Sequence, residues 1–223
     1  MRGSAAGRAG RTALACLLLL VLGVVGGCRS GDPGTPTTPS ASASPTIGPR
    51  PSWAVPVKES GTLLGRIGDS RVRIDVRQVG VVASPADSVM VDPRTGAPVI
   101  RRGDKLVLLR YVVTNVSSDP LRLGLGTVTV RARYPDWSFA QDLVGIRDPR
   151  WQQRHGIAAT PFVADPGRPP YVLAPGESFM VGMNAPYEKA EELQVTAEVV
   201  IADESGTVDP GLSWTITGSV HLT

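Results

Sequence analysis

The chain has 223 residues, 42% of them hydrophobic, with 23 basic side chains, 20 acidic ones and two cysteines. This apolar content suffices for a buried core and excludes a wholly disordered chain. Three of the basic residues (Arg2, Arg8 and Arg11) and none of the acidic ones lie in the first 27 positions, so the remainder balances at 20 against 20. Such a balance gives no surplus positive surface for nucleic acid.

The chain opens with those arginines, an apolar run (LACLLLLVLGVV) and two glycines, the three parts of a secretory signal over residues 1–27. A transmembrane helix needs about 20 apolar residues, and the run is shorter than that. Val25-Gly26-Gly27-Cys28 resembles the bacterial lipobox, in which the cysteine becomes the lipidated new N-terminus. The competing reading, a leftover thiol near an ordinary cleavage site, leaves an exposed free thiol in an oxidising compartment. Cys28 is therefore expected to anchor the exported protein to the membrane. Cys16 leaves with the signal, so no internal disulfide is expected.

Residues 28–59 follow as the lipidated cysteine and a tether. RSGDPGTPTTPSASASPTIGPRPS has few apolar side chains and many Pro, Ser and Thr, a composition that cannot offset chain entropy by burial and stays extended. The domain is expected to begin at Ser60 and run to residue 223.

From there the pattern has period two. Val72, Ile74 and Val76 alternate with Arg71, Arg73, Asp75 and Arg77, and the phase slips after Gln78, which predicts one wet face and a bulge near Gly80. KLVLLRYVVTNV, residues 105–116, is apolar on both parities and predicts a central strand. LRLGLGTVTVRARY, SFMVGMNAP, LQVTAEVVIA and SWTITGSVHL add further strands. Seven or eight strands with Pro, Gly and Asp turns predict an all-β fold, an immunoglobulin-like antiparallel β-sandwich, with a closed barrel as the other architecture.

Residues 103–123, GDKLVLLRYVVTNVSSDPLRL, and 171–199, YVLAPGESFMVGMNAPYEKAEELQVTAEV, carry a long strand ending in a TN-x-S turn and an L-x-PGE turn opening another. The chain resembles, in these stretches, the telokin-type immunoglobulin-like domains of bacterial surface lipoproteins. That resemblance implies an exported binding or interaction domain without established catalytic residues. The turn chemistry is physical: Pro175 presets φ, Gly176 can take a positive φ, Glu177 is expected to face water, and Asn115 and Asp119 can bond turn amides.

No nucleophile stands out beside a base. The exported part has two imidazoles, His155 and His221, and none of the GxSxG, HExxH, GxxxxGK[ST] or SxxK signatures is present. The expectation is a non-enzyme without cofactor or metal. The best metal cluster by residue type, Asp142, Asp148, His155 and Asp165, has no recognised spacing, and Met90, Met180 and Met183 read as packing.

The segment 138–170 is the candidate for function, since long loops on a rigid sandwich commonly carry it. It gathers Phe139, Trp151 and Phe162 between Trp137 and Tyr171, with a short helix expected near Arg150. Ligand-binding candidates are Trp137, Asp148, Trp151 and His155. Two readings stay open: aromatic anchors for a ligand or partner, or a plug folded back on the sandwich. The functional expectation is a lipid-anchored, extracytoplasmic, non-catalytic interaction module with an envelope protein as partner. The alternative is a binder of a small molecule, glycan or metal, and an enzyme with an unrecognised carboxylate site is the third.

Overall fold

Among the described residues eight strands form. They are β1 (Thr62–Gly68), β2 (Val72–Ala83), β3 (Lys105–Asn115), β4 (Leu121–Arg133), β5 (Tyr171–Leu173), β6 (Ser178–Pro186), β7 (Glu192–Ile201) and β8 (Trp214–His221), with one short helix, α1 (Pro149–Arg154), between β4 and β5. The computed structural model describes residues 47–223 except Ala140 and Ala159. The expected signal segment, Cys28 and most of the expected tether lie outside the described residues.

The strands make two antiparallel sheets of four, ordered β1-β2-β3-β6 and β5-β4-β7-β8. The protein is an all-β immunoglobulin-like sandwich. Val72, Ile74 and Val76 of β2 and Val107, Leu109, Tyr111 and Val113 of β3 face Leu193, Val195, Ala197 and Val199 of β7 in one continuous core. The expected bulge is present: the β2–β3 register slips between Gln78 and Gly80, because the inward set changes parity there.

Both turn motifs meet in space. Asn115 Nδ2 donates to the carbonyls of Asp119 and Leu173, Asn115 Oδ1 accepts from the Ser117 amide, and the Gly176 amide donates to the Asn115 carbonyl at 2.8 Å. Gly176 takes φ 78°, where a side chain would be strained. Glu177 does more than face water, since its carboxylate accepts the Ala174 amide at 2.9 Å and closes its own turn. These bonds tie the end of β3 in one sheet to β5 in the other.

Two features differ from the sequence reading. The tether does not extend to residue 59, because Trp53 and Ala54 are buried at 6% and 0% exposure. Trp53 sits in an aromatic box of Phe162, Tyr171 and Phe179 at 5.2–5.9 Å between ring centres, and its indole N–H donates to the Val172 carbonyl at 2.8 Å. Residues 49–60 are thus a strap laid on the domain. Burial of this ring offsets part of the entropy lost in ordering the short Pro-rich segment. The wet face of β2 is also interrupted: Asp75 is buried, held between Arg66 at 3.2 Å and Arg73 at 3.3 Å.

Candidate functional site

The long connection between β2 and β3 and the segment before α1 both lie against the outer face of the first sheet. Residues 84–104 fold as a small hairpin, bridged at Val91 and Pro98 and turned by the Asp92 carbonyl, which accepts the amides of Thr95 and Gly96. Ser88 pins its base, its hydroxyl accepting the Ile100 amide at 3.0 Å and donating to the Met90 carbonyl at 2.7 Å. Opposite, Asn184 of β6 holds Ile146 from both sides, accepting its amide at 2.7 Å and donating to its carbonyl at 3.0 Å.

Between these two segments runs a cleft of about 810 Å³, walled by Pro85, Ala86 and Met90 on one side and by Val144, Gly145 and Asp148 on the other. Val89, on its rim, is fully exposed. The volume falls in the range of ligand and peptide sites, and the lining is mostly apolar.

The sequence candidates in the insertion have structural tasks. Asp148 is the N-cap of α1, its carboxylate accepting the Trp151 amide at 2.9 Å, and Pro149 follows at the position that tolerates a missing N–H. Trp151 is buried among Ile100, Leu106, Leu108, Ile146 and Ile157. His155 is the C-cap, with its ring 4.8 Å from that of Trp151. The helix brings these three together by its turn spacing. Trp137 belongs elsewhere: its N–H donates to the Gln141 carbonyl at 2.9 Å and its ring packs on Phe139 and Tyr134 beside the main core. The four candidates therefore do not gather at one point: Asp148, Trp151 and His155 lie together at the helix, and Trp137 lies apart from them. A tryptophan in an insertion looks the same in sequence whether it faces water or the sheet, and Trp151 faces the sheet.

Of the two readings for the aromatic insertion, packing accounts for Trp151, Phe162 and Tyr171. Trp151 covers the outer face of β3, and Phe162 and Tyr171 complete the box around Trp53. The carboxylates of the metal reading are dispersed as well. Asp142 lies 3.9 Å from Arg131, Asp148 caps the helix, and no three His, Cys, Asp or Glu side chains gather at one point among the described residues.

Sequence reasoning missed a residue at the centre of this region. Arg110 is fully buried on the outer face of β3. Its Nη1 donates to the carbonyls of Lys58 and Ser60, both at 2.7 Å, and its Nη2 to the carbonyl of Gly156, just past α1, at 2.7 Å. Its cross-strand neighbour Arg77 donates to the carbonyls of Glu59 and Gly61, both at 3.2 Å. Four consecutive carbonyls, from Lys58 to Gly61, thus meet two guanidinium groups. Burial, with Arg77 beside it, pulls the Arg110 pKa below the ordinary arginine value, yet arginine stays charged in proteins. The visible signal was an arginine inside a run apolar on both parities, a charge that folding must satisfy. Comparison of the chain with family models, with curated proteins and with solved structures returns no match.

Proposed function

We propose that this chain is a lipid-anchored, extracytoplasmic interaction module, akin to the surface lipoproteins it resembles, that presents the cleft between residues 85–90 and 141–149 to a protein partner at the cell envelope and performs no covalent chemistry. The observation that carries this reading is the position of that cleft. The chain joins the domain at Pro49, whose carbonyl accepts the Ser178 amide at the start of β6. The cleft lies toward the other end of the same sheet, where Asn184, paired with Leu108, holds Ile146 in its wall. Six residues of β3 separate Thr114, paired with Ser178, from Leu108, and at about 3.4 Å per residue they span roughly 20 Å. A tether pulling from Cys28 would leave the cleft facing away from the membrane.

Surface chemistry favours a protein over a small ligand. In the insertion Trp151 is buried and Phe162 packs on Trp53, whereas the rim offers Val89 and, beside it, Val91, both exposed. Exposed aliphatic groups around an apolar groove suit a partner's side chains better than a sugar or an ion.

A photo-crosslinking residue placed at Val89, in the full lipidated chain in its own host, should give a discrete protein adduct. The same residue at Thr217, exposed on the open face of the second sheet, should not. Identical adduct patterns from both positions, or none from Val89, would refute the cleft as the contact. In parallel, Cys28→Ser should move the protein from the membrane fraction to the soluble one, and continued retention would refute the anchor.

A further inference from the structure

The sandwich is open along one side. β5 pairs only with Leu121–Leu123 of β4, the β4–β7 register slips between Leu123 and Val128, and Thr127 takes a left-handed φ of 45° there, a conformation costly for a β-branched residue. A cleft of about 300 Å³ enters at this point, between β4 and the edge strand β6, with Val130, Phe162, Val181 and Met183 in its wall. Met183 is half-buried. Beyond it lies Tyr111, with no exposed surface, whose hydroxyl donates to Met183 Sδ at 3.4 Å.

This pairing is chemically unequal. A phenol is a good donor and a thioether a weak acceptor, while buried hydroxyls are ordinarily satisfied by oxygen. We propose that Met183 is an oxidation site that Tyr111 is placed to receive: a peroxide reaching the cleft converts the thioether to a sulfoxide, and the new oxygen accepts the Tyr111 hydroxyl. The sulfur lone pair attacks one peroxide oxygen, the O–O bond breaks, and the departing oxygen takes the proton released, leaving as water from hydrogen peroxide. Sulfur is oxidised and peroxide is reduced, with no further reactant.

Sulfoxide formation ordinarily disrupts a core, because it puts a polar oxygen among apolar groups. Here a donor already points at the sulfur, and the cleft gives the flexible side chain room to reseat. The modification turns one wall of the cleft from apolar to polar while the fold persists, and methionine sulfoxide reductases can reverse it. Met180, on the outer face of β6, is only 4% exposed, against the half-buried Met183.

The test uses the exported chain carrying Met90→Leu, treated with hydrogen peroxide, mapped by peptide mass spectrometry and melted. Met183 should gain one oxygen well before Met180, with little change in Tm. In the Tyr111→Phe background, the same oxidation should lower Tm by a further 2–4 °C or so, the equivalent of one lost hydrogen bond in a domain of this size. Met183 reacting no faster than Met180, or an equal fall in Tm with and without the phenol, would overturn the proposal. If the Tyr111→Phe protein does not fold, heavy-oxygen peroxide and infrared spectroscopy of the unsubstituted tyrosine protein still decide. The S=O stretch should lie below that of an unbonded sulfoxide, and an unbonded frequency would overturn the proposal.

Discussion

Replacing Arg110 with methionine is expected to destabilise the domain by about 3–5 kcal/mol, and to free the strap before the sheets come apart. The side chain is fully buried and three of its hydrogen bonds are 2.7 Å long to main-chain carbonyls. Charge-assisted bonds of this kind contribute about 1.5–3 kcal/mol each, and their sum is reduced because the strap carbonyls regain water when it lifts. Methionine fills a similar volume, so loss of packing is a minor part. In a domain of this size the fall in Tm should be on the order of 10 °C. Lysine should recover only part of it, since a single ammonium cannot fork between the strap on one side and Gly156 on the other. Limited proteolysis supplies a second readout: cleavage between residues 49 and 60 should appear in the variant at temperatures where β2 and β3 remain protected. A variant melting within a degree or two of the parent, with the strap still protected, would show that Trp53 alone holds it.

How legible this arrangement was in the sequence depends on the range of the interaction. Period-two alternation is local, so Val72, Ile74 and Val76 announced β2, and the parity slip at Gln78 announced its bulge. Turn chemistry is nearly as local. Asn115 and Gly176 could each be read as turn residues, although that the two turns bond to each other is a property of the fold alone. The double-faced apolar run of β3 showed that something must cover its outer side. It did not show that the cover is α1 and Trp151, or that the charge within the run would be met by strap carbonyls more than 45 residues away. Trp53 was hidden by its neighbours, because averaging over a Pro- and Ser-rich stretch dilutes the one side chain that decides where the domain begins. Val89 was hidden for the opposite reason. An aliphatic residue on a hairpin reads as core, and only the surrounding backbone shows that it faces water.

That contrast between an inward aromatic and an outward aliphatic residue makes the second large effect a decisive one. Trp151→Ala is expected to cost about 3–5 kcal/mol, the range for truncating a large buried aromatic, because it empties the space between α1 and Ile100, Leu106 and Leu108. Trp151→Phe should cost much less, since most of the ring contact survives. Val89→Asp, on a fully exposed side chain, should leave Tm within the small range of surface changes, about 0.5 kcal/mol, yet abolish the adduct captured from a neighbouring crosslinker at Val91. The two variants separate support from contact. Were Trp151 itself the contact, its removal would spare Tm and abolish the adduct, and Val89→Asp would do neither. The packing argues for the first pattern. Trp151 holds Ile146 against β3, Ile146 fixes the wall formed by Val144 and Gly145, and that wall with Val89 opposite forms the cleft. Chemical denaturation of both variants, run beside the crosslinking, decides between the patterns.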